Sequence, residues 1–160
     1  MILLDVSSFW DDFKDNIVEK IVEYIYKDFK EEFGDSFECD EKFSFTLMTI
    51  YRKTKVPFVI IIDEGDCVIR NSEDKELVHR YLQFLHSLFK SEESKAFLAL
   101  AYITGILPVK KIKDESALNN FREYTMLKSK PITKYYGFTE DEVRTLCKEY
   151  EKDFETTKVR

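Results

Sequence analysis

The segment Val56-Pro57-Phe58-Val59-Ile60-Ile61-Ile62 constrains this chain more than any other. It is continuously apolar, mostly β-branched, and runs at once into Asp63-Glu64-Gly65-Asp66. β-Branched side chains suit a pleated strand. Continuous apolarity, in place of alternation, predicts a strand buried on both faces, as in a parallel sheet under helices. Pro57 stands at the start, where a missing N–H is tolerated. A second run, residues 96–103, reads Ala-Phe-Leu-Ala-Leu-Ala-Tyr-Ile and ends in Thr104-Gly105. It predicts a second buried strand.

The stretches between these runs have helical periodicity. Residues 1–6 form a short apolar run, after which Ser7 or Ser8 can cap a helix with Asp11 and Asp12 in its first turn. Over 11–33, Phe13, Ile17, Ile21 and Tyr24 recur at helical spacing, with Val18, Val22, Ile25 and Phe29 beside them. This predicts an amphipathic helix, ended by Gly34. Residues 41–53 allow a second helix, with Phe43, Leu47, Ile50 and Tyr51 as its apolar face. Another spans 73–90 on Leu77, Tyr81, Leu82, Leu85 and Phe89. A short helix around 115–121 and a possible strand at 124–127 come next. Thr139-Glu140-Asp141-Glu142 is a capping box opening a last helix, with Val143, Leu146, Cys147 and Tyr150 inward. Strand and helix alternate, so the expectation is an α/β fold, mostly parallel, in a single domain over 1–160.

Composition narrows the function classes. The 160 residues carry 44% hydrophobic residues, four glycines and three prolines, the profile of a folded, helix-rich chain. A net charge of −6 argues against an extended nucleic-acid surface. Lys110, Lys111 and Lys113 read as a solvated turn before they read as a basic patch. Cys39, Cys67 and Cys147 lack metal or disulfide spacing and suit a reducing compartment. The first residues carry no basic segment of a signal peptide, and no apolar run has membrane length. A soluble, cytoplasmic protein is expected.

Chemistry concentrates at the carboxyl ends of the two strands, where open parallel sheets gather functional groups. Apolar residues followed by Asp63-Glu64 form a Walker B arrangement: the strand delivers a carboxylate to Mg²⁺, and the next glutamate can polarise a water. Thr104, one strand over, would be placed to sense a γ-phosphate. The plainer reading is a buried strand leaving the core through an acidic turn. His79 and His86 lie seven apart on one helix and read as surface or boundary residues, since neither has a partner at ligand spacing. Asp11-Asp12 read as helix N-terminal charges.

Three blocks occur in order: Val59-Ile60-Ile61-Ile62-Asp63-Glu64-Gly65-Asp66, then Tyr102-Ile103-Thr104-Gly105-Ile106, then Tyr136-Gly137-Phe138-Thr139-Glu140-Asp141-Glu142-Val143. Together they resemble the bacterial AAA-ATPase-like family of P-loop NTPases, whose long members often carry a C-terminal PD-(D/E)XK nuclease-like domain. The resemblance implies a partial P-loop NTPase core of the AAA+/ASCE type. By it, Asp63 and Asp66 are metal-side carboxylates, Glu64 is the catalytic base and Thr104 the sensor. Mg²⁺ and ATP are implied for the complete domain. Where this chain has Gly65 the family usually has an aromatic, and the glycine is expected to loosen the turn.

The phosphate loop, G-x-x-x-x-G-K-[ST], is not in the sequence: Gly34, Gly65, Gly105 and Gly137 are the only glycines, and no pair fits. In the resembling family that loop precedes the strand corresponding to residues 1–6. The chain therefore reads as a middle piece, truncated before the loop and before the lid region, with no cofactor expected for it alone. The phosphate-loop strand would lie between 96–103 and 124–127. Its absence predicts self-association, or a missing N-terminal segment, along the edge of 96–103, or direct pairing of 96–103 with 124–127. A Toprim reading of Glu64-Gly65 lacks the required later Asp-x-Asp, and a nuclease reading lacks Glu-x-Lys on a neighbouring strand. Two classes compete: an ATPase core whose nucleotide site is completed elsewhere, and a degenerate, non-hydrolysing P-loop-like domain kept as a protein-interaction module.

Overall fold

The computed structural model describes residues 1–34, 38–107, 118, 120–125, 135 and 137–158. Their order is β1 (Ile2–Asp5), α1 (Val6–Phe13), a 3₁₀ turn (Lys14–Asn16), α2 (Ile17–Phe33), α3 (Phe43–Thr54), β2 (Phe58–Asp63), α4 (Cys67–Asn71), α5 (Lys75–Phe89), α6 (Ser94–Phe97), β3 (Leu98–Ile103), α7 (Glu140–Glu149) and α8 (Phe154–Lys158). The chain divides into two compact units, Met1–Phe121 and Arg122–Arg160.

In the first unit the strands form a three-stranded sheet in the order β1-β2-β3. Every pairing is parallel: Leu4 lies opposite Ile62, Asp5 opposite Asp63, and Ile62 opposite Ile103. The α/β expectation holds in this unit. The expectation of burial on both faces does not. Side chains alternate across a strand, and here one parity is buried: Ile2 and Leu4, then Phe58, Ile60 and Ile62. On the other parity Leu3 is 63% exposed, Leu100 59% and Tyr102 41%, while Val59 and Ile61 are half-buried. Apolarity on that outer face is what made the run continuous in sequence. Residues 96–103 are likewise not one strand, because Ala96 and Phe97 belong to α6. A register irregularity at Phe58/Val59 leaves Ala99 as the extra residue before β3 resumes its pairing.

The core forms against the buried parity. α2 contributes Ile17, Ile21, Ile25 and Phe29, a strict four-residue stripe, each side chain contributing about 1.5–3 kcal/mol by leaving water. Phe29 meets Phe58 at 6.2 Å between ring centroids, and Phe58 meets Phe97 edge-on at 6.2 Å. These rings tie α2, β2 and α6 together. Leu77, Tyr81, Leu85 and Leu88 of α5 complete the centre.

The long helix expected over 11–33 is broken. Asp5, not Ser7 or Ser8, caps α1, and the serines donate to it. The break falls at Lys14-Asp15-Asn16, a 3₁₀ turn whose aspartate and asparagine are weak helix formers and whose Asp15 carbonyl accepts from Arg80 Nη2 at 3.0 Å. Phe13 and Tyr24, expected inward, are 41% and 52% exposed. Gly34 does end α2, with φ +88° and its N–H donating to the Lys30 carbonyl at 2.8 Å. The 73–90 helix is α5, started by Asp74, whose carboxylate accepts from Glu76 N–H at 2.9 Å.

The expected helix at 115–121 falls mostly outside the described residues; Leu118 and Asn120 are in turn conformation. So do Lys110, Lys111 and Lys113, and half of the strand at 124–127, whose Tyr124 and Thr125 have no regular structure. In the second unit the Thr139–Glu142 capping box forms reciprocally: Thr139 N–H donates to Glu142 Oε2 at 2.7 Å, and Glu142 N–H to Thr139 Oγ1 at 3.3 Å. Cys147 is buried, whereas Tyr150 is 66% exposed, against expectation. No helix among the described residues is long and apolar enough to cross a membrane.

Candidate functional site at the β2 and β3 exits

Parallel pairing brings the C-terminal ends of β2 and β3 side by side, and Asp63 and Thr104 meet there. Thr104 Oγ1 donates to Asp63 Oδ1. The Glu64 N–H points into the same junction, 3.2 Å from Thr104 Oγ1 and 3.2 Å from Asp63 Oδ1. Main-chain bonds continue the pairing past the strands. Thr104 N–H donates to Ile62 O at 2.9 Å, and Gly65 N–H to Thr104 O at 2.8 Å. Two positions 41 residues apart in sequence thus share one junction.

The turn after β2 is tight. Glu64 adopts φ +52°, a left-handed conformation that costs a non-glycine residue about 1 kcal/mol. Bonds to its N–H and its side chain hold it there. Gly65 does not loosen the turn. Its N–H and carbonyl are both bonded, the carbonyl to the hydroxyl of fully buried Tyr81 at 2.9 Å. A Cβ at Gly65 would lie 2.5 Å from Ile103 Cγ2. A larger residue on this backbone would therefore collide with β3. Burial, then the nearby Cys67 and Asp66, pushes the Tyr81 hydroxyl far above its ordinary pKa, so it stays a donor.

Asp66, expected beside Asp63 as a second metal-side carboxylate, is wholly buried. Its oxygens accept from the N–H groups of Ile106 (3.2 Å) and Leu107 (2.9 Å) and from Arg70 Nη1 (3.2 Å). A cation would have to displace those donors. Gly105 makes the approach possible: a Cβ there would stand 2.4 Å from Asp66 Oδ1. Arg70 also reaches Glu64, its Nη2 donating to Oε2 at 2.9 Å. That bond, chiefly, holds the guanidinium charged even more firmly than usual. Sequence reasoning missed Arg70 and Tyr81. The four-residue spacing from Asp66 to Arg70 on a helix was the available signal for Arg70; the Tyr81 contact had none.

Elsewhere, His79 Nε2 lies 2.7 Å from Gln83 Nε2, and His86 is exposed. Among the described residues, no group of three or more His, Cys, Asp or Glu is placed to hold a metal. Asp63 and Thr104 nevertheless offer hard oxygen donors that suit Mg²⁺, an ion that takes one or two carboxylates and fills its shell with water and phosphate oxygens.

Comparison with known proteins returned no match among curated proteins and none among solved structures. A family model described as "Predicted AAA-ATPase" matches residues 3–114, which include β1 apart from its first residue, β2, β3 and the whole junction described above. The Gly137-Phe138-Thr139 block lies beyond the matched stretch. With most of its length inside that match, the chain belongs to the Predicted AAA-ATPase family.

Proposed function

We propose that the first unit is part of an ATP-hydrolysing P-loop core, with Asp63 as the Walker B carboxylate toward Mg²⁺, Glu64 as the base that polarises water and Thr104 as the γ-phosphate sensor. The observation that carries this reading is the Asp63–Thr104 hydrogen bond at adjacent strand ends, with Glu64 next in the chain. Bound Mg²⁺ would neutralise charge on the β- and γ-phosphates. Asp63 would hold it, and Asp66 would brace the turn from behind. No phosphate loop occurs in these 160 residues. We place the loop's strand against β3, which ends the sheet among the described residues, supplied by a segment outside them.

Titrating Mg-ATP into the 160-residue chain by calorimetry tests this. No binding is expected at micromolar concentration, whereas micromolar binding would overturn the need for an added loop. Titration with Mn²⁺ alone tests the carboxylate: weak binding is expected and should vanish in Asp63→Asn. The rival reading, a non-hydrolysing interaction module, draws on the missing phosphate loop. It would prevail if an in-frame upstream coding sequence carried no G-x-x-x-x-G-K-[ST].

A further inference from the structure

Among the described residues, Arg70 is the cation placed between carboxylates at the β2 exit. Its guanidinium spans two of them, Glu64 Oε2 at 2.9 Å and Asp66 Oδ2 at 3.2 Å, with 27% of its side chain exposed. The two ends of this bridge differ. Asp66 is pinned, with its side chain 1% exposed and its oxygens also accepting from the Ile106 and Leu107 N–H groups. Glu64 is 35% exposed at its side chain and has no other side-chain partner among the described hydrogen bonds. A planar guanidinium fixed at one end directs its remaining N–H groups. Asp66 is therefore the anchor and Glu64 the group being positioned.

We propose that Arg70 is the positioning residue of Glu64: braced on Asp66, it holds the Glu64 carboxylate and withholds it from the divalent cation that Asp63 would carry. The inference rests on the Walker B reading above. It adds a resting state in which the base is engaged by a built-in counter-charge. The same anchor accepts from the backbone N–H groups of Ile106 and Leu107, so the brace also ties the turn after β2 to the residues after Thr104. A carboxylate held by a guanidinium is a poorer ligand and a poorer base than one left to water, because both functions need the electron pairs the N–H groups occupy.

The test uses the 160-residue chain and Mn²⁺ as the probe, with affinity read from the paramagnetic signal of the free ion. Arg70→Met should bind Mn²⁺ tighter, on the order of tenfold, the usual size of a coupling between competing partners. Adding Glu64→Gln should return the affinity to that of the wild type, a reversal that a merely structural role for Arg70 would not give. Arg70→Lys, whose point charge cannot bridge both carboxylates, should fall between. Because Arg70→Met leaves a buried charge without its partner, Asp66→Asn/Arg70→Met is measured beside it and should show the same gain. Unchanged affinity in Arg70→Met and in the double variant, with Asp63→Asn still abolishing binding, would overturn the proposal and leave the Walker B reading standing. Binding indifferent to Asp63→Asn would overturn that reading instead. Absence of Mn²⁺ binding in every variant would overturn both.

Discussion

Asp5 and Asp63 are register partners at the exits of neighbouring parallel strands, yet the fold uses them in opposite ways. Both carboxylate oxygens of Asp5 are taken within three residues. Oδ1 accepts from Ser7 N–H at 3.0 Å and Ser7 Oγ at 2.6 Å, and Oδ2 from Ser8 Oγ at 2.7 Å. That carboxylate starts a helix. The carboxylate of Asp63 has only the adjacent Glu64 N–H as a local partner and otherwise takes a hydroxyl from the next strand. The difference lies in the three residues after each aspartate. Val-Ser-Ser offers donors at capping distance, whereas Glu-Gly-Asp delays the helix until Cys67 and leaves Asp63 at the sheet end. Residue type and height in the sheet are therefore not enough to identify a site. A carboxylate consumed by its own neighbours is structural, and one met across strands is placed.

The sharpest way to break the contrast is to unpin the β2 exit. Asp66→Ala removes the buried acceptor of three donors and should lower unfolding free energy by about 3 kcal/mol in urea. Exchange of the Ile106 and Leu107 amides should rise in proportion. A smaller loss, about 1.5 kcal/mol, is expected for Tyr81→Phe, which strands the buried Gly65 carbonyl. A thermal shift with no change at the β1 exit would place the loss. Asp5→Ala and Thr104→Val should each cost about 1 kcal/mol, so hydrogen exchange has to tell them apart. The first should release only the Ser7 and Ser8 amides; the second should release the amide of Glu64 on the neighbouring strand's exit. Identical exchange patterns would erase the distinction between local and cross-strand use.

The smallest effect is in acid. Hydrogen bonds from the Ser7 and Ser8 side chains hold Asp5 below its usual pKa. A lowered folded pKa means the unfolded chain binds the proton first, so this stabilisation is present above the unfolded value and is lost as pH falls through the folded one. For so exposed a group, the loss should amount to a few tenths of a kcal/mol below about pH 4. Asp5→Asn should remove that part of the acid dependence, as followed by circular dichroism.

Much of this architecture was legible because it is written locally. β2 and its acidic turn, the stop at Gly34 and the Thr139 cap each depend on a few consecutive residues, and each formed where the pattern put it. Thr104 was legible for a different reason: its apolar run announced a strand, and parallel strands end together. The break at Lys14–Asn16 was hidden because the apolar spacing runs through it. The one-sided sheet was hidden too, since Val59, Ile61 and Leu100 stand in runs that read as buried on both faces, whereas Leu100 is exposed and Val59 and Ile61 are half-buried. Tyr81 on Gly65 and Asp66 on Ile106 and Leu107 join positions 16, 40 and 41 residues apart. Only the assembled fold supplies those distances.

The contact between Gly105 and Asp66 carries a consequence for inheritance. The space a side chain at 105 would need is already filled by the carboxylate of residue 66, so position 105 cannot gain a β-carbon while that acid stays in place. A lineage that acquires a β-carbon at 105 has to lose or move the acid at 66, and with it the brace behind Arg70. Among aligned relatives a β-carbon at 105 should therefore appear only where 66 is no longer this acid, and a glycine beyond the end of β3 becomes part of the definition of the acidic turn after β2.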